Sequence, residues 1–436
     1  MRLLISCALL AVGCSSSVEN AAPLPPIDDS CAGTCPQSKI KHVVVIIQEN
    51  HTFDDHFGRY CTAPAGQLPS CSEGPSCCEA APATDAAGHT PITLDDDAQA
   101  LHDPDHTAAC ETKEMNGGAM DRYATESCGS PQNVAVGDAK TMQTFWDFAK
   151  SGAIADRYFQ PEIGQSSAND MYFARATHVF DDNAFGPKDA RGVTCGFGSS
   201  AQAEYADKTI GDLLADKAMP WSFYAEGYGT MRDALAAGHC AARDPLCPGN
   251  INFYPCIFDP SDVPFQYYPR WRDNADTMKD LGDFTGALEA GGLPAVSFIK
   301  GLGFHTEHGG IRTTITDGAT FVKDLYDAVM HSRYRDNTLF LVTYDEGGGL
   351  WDHVKPPATN PIDNKPYGTR VPMIAAGPFA RKNHISHVTM EHSSIVKFLE
   401  WNFLGQTGQL GTRDTNVANL GSLIDPVAAG AAVPED

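Results

Sequence analysis

Val43-Val44-Val45-Ile46-Ile47-Gln48-Glu49-Asn50 and Leu339-Phe340-Leu341-Val342-Thr343-Tyr344-Asp345-Glu346 are two apolar runs that each end in acid. A continuous apolar run of this length predicts a strand buried on both faces, as in a parallel sheet covered by helices. In an open α/β sheet, ligands gather beyond the carboxyl ends of the strands. Glu49, Asn50, Asp345 and Glu346 are therefore expected to meet at one edge. Close carboxylates repel one another unless a shared proton or a cation holds them, so the convergence predicts a divalent metal ion on oxygen donors. Affinity order alone leaves the identity of that ion open.

Further strands are expected at 155–159, 220–225, 295–300 and 371–376. One helix is expected over 316–331, where Phe321, Val322, Leu325 and Val329 form one face and Thr316 or Asp317 caps the start. Another runs over 391–403 through Ile395, Val396, Leu399 and Phe403. Strands alternating with helices predict an α/β/α sandwich on a largely parallel central sheet.

The chain has 436 residues, 42% of them hydrophobic, which is ample for a core. Its formal charge of −24 and the lack of a basic stripe argue against nucleic-acid binding. Arg2, an apolar stretch over 3–12 and then Gly13-Cys14 predict an export signal too short to span a bilayer. Ala11-Val12-Gly13-Cys14 resembles a bacterial lipobox, so residues 1–13 read as a lipoprotein-type signal peptide with Cys14 lipidated. That would place the protein on the outer membrane or cell surface, with secreted or periplasmic protein as the alternative. Residues 14–38 read as a tether, 39–426 as the catalytic body and 427–436 as a frayed tail. Beyond Cys7 and Cys14, twelve of the fourteen cysteines remain, an even number in an oxidising compartment. Disulfides are expected; a zinc cluster is disfavoured because no CxxC…CxxC spacing occurs. Residues 61–132 read as a disulfide-stapled insertion of loops, with a second loop-rich stretch over 180–274. Asp95-Asp96-Asp97 reads as a solvated acidic loop.

The run Ile40-Lys41-His42-Val43-Val44-Val45-Ile46-Ile47-Gln48-Glu49-Asn50-His51-Thr52-Phe53-Asp54-Asp55-His56-Phe57-Gly58 resembles the opening motif of the bacterial phospholipase C and acid phosphatase phosphoesterase family, in the alkaline phosphatase superfamily. The resemblance continues through His102-Asp103-Pro104-Asp105-His106, Asn116-Gly117-Gly118-Ala119-Met120-Asp121, Gly164-Gln165-Ser166-Ser167-Ala168-Asn169-Asp170, Glu307-His308 and Gly368-Thr369-Arg370-Val371-Pro372. Its most specific block is Thr343-Tyr344-Asp345-Glu346-Gly347-Gly348-Gly349-Leu350-Trp351-Asp352-His353. The resemblance implies that Glu49, Asn50, Asp345 and Glu346 ligate a divalent metal, and that Ser166 is both nucleophile and ligand. It implies a phosphoseryl intermediate formed from a phosphoester small molecule or a phospholipid. His106, His308 and His353 are placed at the phosphate, where imidazoles donate to its oxygens and one protonates the leaving group. His305 reads as a neighbour, and Gly347-Gly348-Gly349 as a sharp turn between the ligands and His353.

Ser166 also stands before a helical pattern over 168–177, where free backbone N–H groups favour an anionic oxygen; the bland reading is a helix cap. A serine esterase is a second enzyme class, but Ala168 breaks the G-x-S-x-G elbow and such an enzyme leaves Glu49, Asp345 and Glu346 unexplained. No C-x-P-x-R segment supports a sulfatase. A non-catalytic surface lipoprotein that binds a phosphorylated ligand is the remaining alternative.

Overall fold

The computed structural model describes residues 35–183, 204–248 and 254–436. The expected signal peptide, Cys14 and nearly all of the tether lie outside those residues. An eight-stranded sheet is formed by His42–Gln48 (β1), Ala153–Ala155 (β2), Trp221–Ala225 (β3), Met278–Lys279 (β4), Val296–Lys300 (β5), Thr338–Tyr344 (β6), Met373–Ala376 (β7) and His384–Ser386 (β8). Their spatial order is β8-β2-β7-β6-β1-β5-β3-β4. All neighbours are parallel except β7, which runs antiparallel to both β6 and β2.

The apolar run of β1 explains its central place. Val43, Val45 and Ile47 face one layer, with Phe298, Leu341, Phe173, Ile395 and Leu399. Val44 and Ile46 face the other, with Phe340, Phe145, Phe148, Val322, Leu325 and Val329. Alternate side chains thus enter opposite cores, the period-two rule applied to a strand with no solvent face. Among the helices that flank the sheet or the site at its edge are Ala108–Met115 (α1), Ala139–Ser151 (α2), Ser166–Arg175 (α3), Ile315–His331 (α4) and His392–Leu399 (α5). Helices α3 and α5 cover the first face, and α2 and α4 the second.

Several expectations are corrected. The cap of α4 is Thr314, whose side chain accepts from Asp317 N–H, because the helix begins one residue before the expected start. The strand expected at 155–159 is Ala153–Ala155, and α5 ends at Leu399 before a π-helical turn over Glu400–Leu404. The Cys-rich insertion is not only loop, since it contains α1, a helix over Asp96–Leu101 and the short strand Ile92–Leu94. Asp95 caps the Asp96–Leu101 helix by accepting from Ala98 N–H, so the aspartate run opens a helix. The C-terminal residues do not fray: Asn419 N–H and Gly421 N–H donate to the carbonyls of Glu435 and Pro434, and Ala429 and Val433 are buried.

Disulfides Cys61–Cys78, Cys71–Cys77, Cys110–Cys128 and Cys247–Cys256 join eight of the described cysteines, which accords with the disulfide reading. No helix among the described residues is long and apolar enough to cross a membrane.

Ile46 is fully buried at the centre of the sheet. Ile46→Ala should cost about 2–5 kcal/mol, read as a lower urea midpoint at unchanged slope.

Candidate active site

Parallel pairing of β1 with β6 brings Gln48 level with Tyr344, so both chains leave the sheet together. Asp345 N–H donates to Gln48 O at 3.0 Å, and Glu49 N–H to Thr306 O at 2.7 Å. Asn50 then turns with φ +64°, and its N–H approaches Asp345 Oδ1 at 3.4 Å. Glu49, Asn50, Asp345 and Glu346 are all buried beyond the strand ends.

Ser166 reaches this cluster from the first turn of α3. Its Oγ lies 3.4 Å from Asn50 Oδ1 and it is 2% exposed. The cap position belongs to Gln165, which makes no side-chain cap, so Ser166 is not a helix cap and its hydroxyl faces Asn50. No described histidine bonds that hydroxyl, contrary to what a serine esterase needs.

The glycine turn after Glu346 is required sterically. A Cβ on Gly347 would stand 2.1 Å from Thr369 Oγ1, while Gly348 and Gly349 have φ of +67° and +68°. Glu111 of α1, unforeseen from sequence, braces this turn. Its carboxylate accepts from Gly164 N–H at 2.9 Å, just before Ser166, and from Gly349 N–H at 3.2 Å. Gln160 Oε1 accepts from Gly347 N–H at 2.8 Å. One buried acid therefore fixes the loop before Ser166 against the loop carrying Asp345 and Glu346. Burial pushes the Glu111 carboxyl up to about 8.

Lys300, at the end of β5, is a second residue missed in the sequence. Its Nζ lies 2.8 Å from Asp170, 3.3 Å from Asp345 and 3.6 Å from Glu49. Burial alone would lower its pKa, yet these carboxylates hold the ammonium well above its ordinary range. The signal was available: Lys300 ends a predicted apolar strand as Glu49 does. Tyr254 OH donates to Glu49 Oε2 at 2.9 Å.

A cavity of about 310 Å³ opens over the cluster, lined by Glu49, Ser166, Tyr254, Asp103, His106 and His308 among others. His106 and His308 each donate Nδ1–H to a backbone carbonyl, Pro104 O at 2.8 Å and Gly309 O at 2.9 Å, if both rings take that tautomer. Nε2 is then an acceptor in both neutral rings. His106 Nε2 stands 3.9 Å from Glu346 Oε1. Burial, then His308, lowers the His106 pKa; for His308 burial is outweighed by Glu49 and Asp103, which raise it. Three larger clefts among the described residues, near Trp401 (about 1080 Å³), Trp271 (about 760 Å³) and Lys355 (about 370 Å³), contain no histidine.

The donor set fits a divalent cation. Glu346 Oε1 is buried without a hydrogen-bond partner, and burial followed by the charges of Glu111 and Asp345 pushes the Glu346 carboxyl well above its usual range. An ion at this point would relieve that repulsion, and carboxylate, amide and hydroxyl oxygens suit a hard one. Ligand atoms of Asp103, His106 and His308 also lie within 4.8 Å of one another.

His353 stands elsewhere. Its Nδ1 is 2.7 Å from Asp54 Oδ2 and its Nε2 3.5 Å from Glu79 Oε2, and it does not line the cavity. Arg370 completes this buried network, bonding Asp54 at 3.0 Å and Asp352 at 2.9 Å. The placement at the phosphate expected for His353 is thus replaced by an ion network that holds the end of the glycine turn. His305 bonds Glu226 at 2.8 Å and stacks on Phe321, a neighbour as expected.

A sequence model of the Phosphoesterase family matches residues 40–404. Phospholipase C B of Mycobacterium tuberculosis is 23% identical over 423 residues, covering 85% of this chain and 75% of the relative. Non-specific phospholipase C6 of Arabidopsis thaliana is 24% identical over 421 residues, covering 89% and 72%. Among solved structures, a protein in the alkaline phosphatase superfamily from Vibrio parahaemolyticus is 12% identical, with a TM-score of 0.38 over 90% of this chain and 73% of that one.

For His353 burial lowers the pKa, but Asp54 and Glu79 outweigh it and push the ring up to about 9 from 6.5. A folded value above the unfolded one stabilises fully below pH 6.5, and that contribution is lost as pH rises through about 9. Wild-type stability relative to His353→Gln should therefore fall across that window in urea titrations, and parallel curves would count against the network.

Proposed function

We propose, because the chain belongs to the phosphoesterase family and is a hydrolase of phosphoric ester bonds, that it works through Ser166 on a phospholipid-type phosphodiester. The observation that carries this reading is the Ser166 hydroxyl, held at the start of α3 against Asn50 inside a cavity walled by Glu49, His106 and His308. The names of the two relatives favour a phospholipase C over a phosphomonoesterase.

Glu49, Asn50, Asp345, Glu346 and Ser166 would hold a divalent cation, which when bound supplies Lewis acidity toward the phosphoryl oxygens and lowers the pKa of the serine hydroxyl. Ser166 Oγ gives up its proton to solvent in the open cavity and attacks phosphorus as the bond to the alcohol breaks; the same solvent returns a proton to Oγ when the phosphoserine is later cleaved. His308, whose protonated form Glu49 and Asp103 favour, gives the departing oxygen the proton on Nε2 of its imidazolium, the nitrogen not committed to a backbone carbonyl, and becomes neutral. Water then attacks the phosphoserine, the imidazole takes its proton, and the phosphomonoester leaves as Ser166 is reprotonated. Glu111 contributes by position, fixing the distance between the Ser166 loop and the Asp345-Glu346 turn.

Export is supported by the disulfides and by the N-terminal signal pattern, with lipidation at Cys14 as the anchor. Family membership weighs against a non-catalytic binding protein.

Hydrolysis of p-nitrophenylphosphorylcholine should exceed that of p-nitrophenyl phosphate and be abolished by EDTA. Ser166→Ala should lower kcat by roughly 10³-fold or more while the protein still binds metal. Retained turnover in that variant would remove Ser166 from the chemistry.

A further inference from the structure

We infer that Lys300 is a built-in counter-ion that keeps the carboxylates of the site and the nucleophile helix assembled before any divalent cation binds. It is a positioning residue. The inference rests on the reading of Glu49 and Asp345 as metal ligands.

The geometry is specific. An ammonium has three N–H donors, and here it faces three carboxylates from three different elements: Glu49 after β1, Asp345 after β6 and Asp170 in α3. Asp170 lies one helical turn beyond Ser166, on the same side of α3. The 2.8 Å contact to Asp170 therefore sets the axial position of the nucleophile, while the contacts to Glu49 and Asp345 set the two ligand strands. The Lys300 side chain is 5% exposed, and lysine is almost never buried to that degree unless paired. Asp170 Oδ1 and Glu346 Oε1 remain without partners in the same cluster, so one ammonium does not saturate it and room is left for a cation.

A lysine that only stabilised the fold would lower the melting temperature equally with and without metal. A counter-ion behaves differently: without it the acids repel until a cation arrives, so the gain from metal grows. The test compares wild type, Lys300→Met and Lys300→Arg by thermal melting in EDTA and in saturating Mn²⁺ or Ca²⁺, with calorimetric titration of each ion. The metal-induced rise should be larger in Lys300→Met than in wild type by at least ~3 °C, with Lys300→Arg near wild type. A Lys300→Met chain that folds only when metal is present supports the counter-ion equally. Equal rises in wild type and Lys300→Met would overturn the role of Lys300 alone. Absence of Mn²⁺ and Ca²⁺ binding to wild type would instead overturn the ligand assignment, and this inference with it. Should Lys300→Met not fold at all, wild type in EDTA still decides. A cooperative melt within a few degrees of the metal-loaded protein supports a site organised by the ammonium, and collapse of the transition overturns it.

Discussion

Electrostatic repulsion among acids that the sheet forces together is the constraint on which this structure turns. Because β1 lies parallel between β5 and β6, Glu49, Lys300 and Asp345 leave the sheet at the same end. Residues at that end cannot spread apart without breaking strand pairing. Glu346 is also fully buried, and α3 adds Asp170. Such a group of anions away from water is tolerable only with positive charge, shared protons or close donors. The molecule supplies all three, through Lys300, through raised carboxyl pKa values, and through backbone N–H groups of the glycine turn.

The surrounding scaffold is built to hold those loops still. Glu111 and Gln160 take N–H groups from Gly164, Gly347 and Gly349, so two loops distant in sequence share one brace. Beyond the turn, Arg370 bonds Asp54 and Asp352 with its side chain fully buried, and Asp54 in turn holds His353. Removing one partner of such a network leaves a buried charge uncompensated, typically about 3–5 kcal/mol.

The parts legible in the sequence were those governed by periodicity or by composition. Val43 to Ile47 and Leu339 to Val342 are apolar at every position, as a core on both sides requires; the sheet, its helices and the disulfides followed. The histidines at 106 and 308 and Ser166 were found by resemblance, and the structure gathers them around one cavity. Asp170 and Glu111 were not read, because a lone polar residue inside a helix has no period and its partners are far away in sequence; Lys300 was missed although it ends a predicted strand. His353 shows the opposite failure. Its motif is specific, but a motif records that a residue is needed, not what it touches, and here it touches Asp54 and Glu79. Caps shifted by a residue or two, as at Thr314, because several Thr and Asp side chains compete for the same first turn.

The central place of β1 also shapes how the chain must fold. Val43 pairs with Val296 on one side and Leu339 on the other, so the first strand finds no neighbour until most of the polypeptide is available. Such long-range pairing is slow, and the loop-closure cost precedes the contacts that repay it. Meanwhile Val43-Val44-Val45-Ile46-Ile47 is uncharged, rich in β-branched residues and free of proline, a segment prone to pair with other chains while it waits. The same strand that brings Glu49 beside Asp345 is therefore an aggregation hazard for as long as β5 and β6 have not yet emerged.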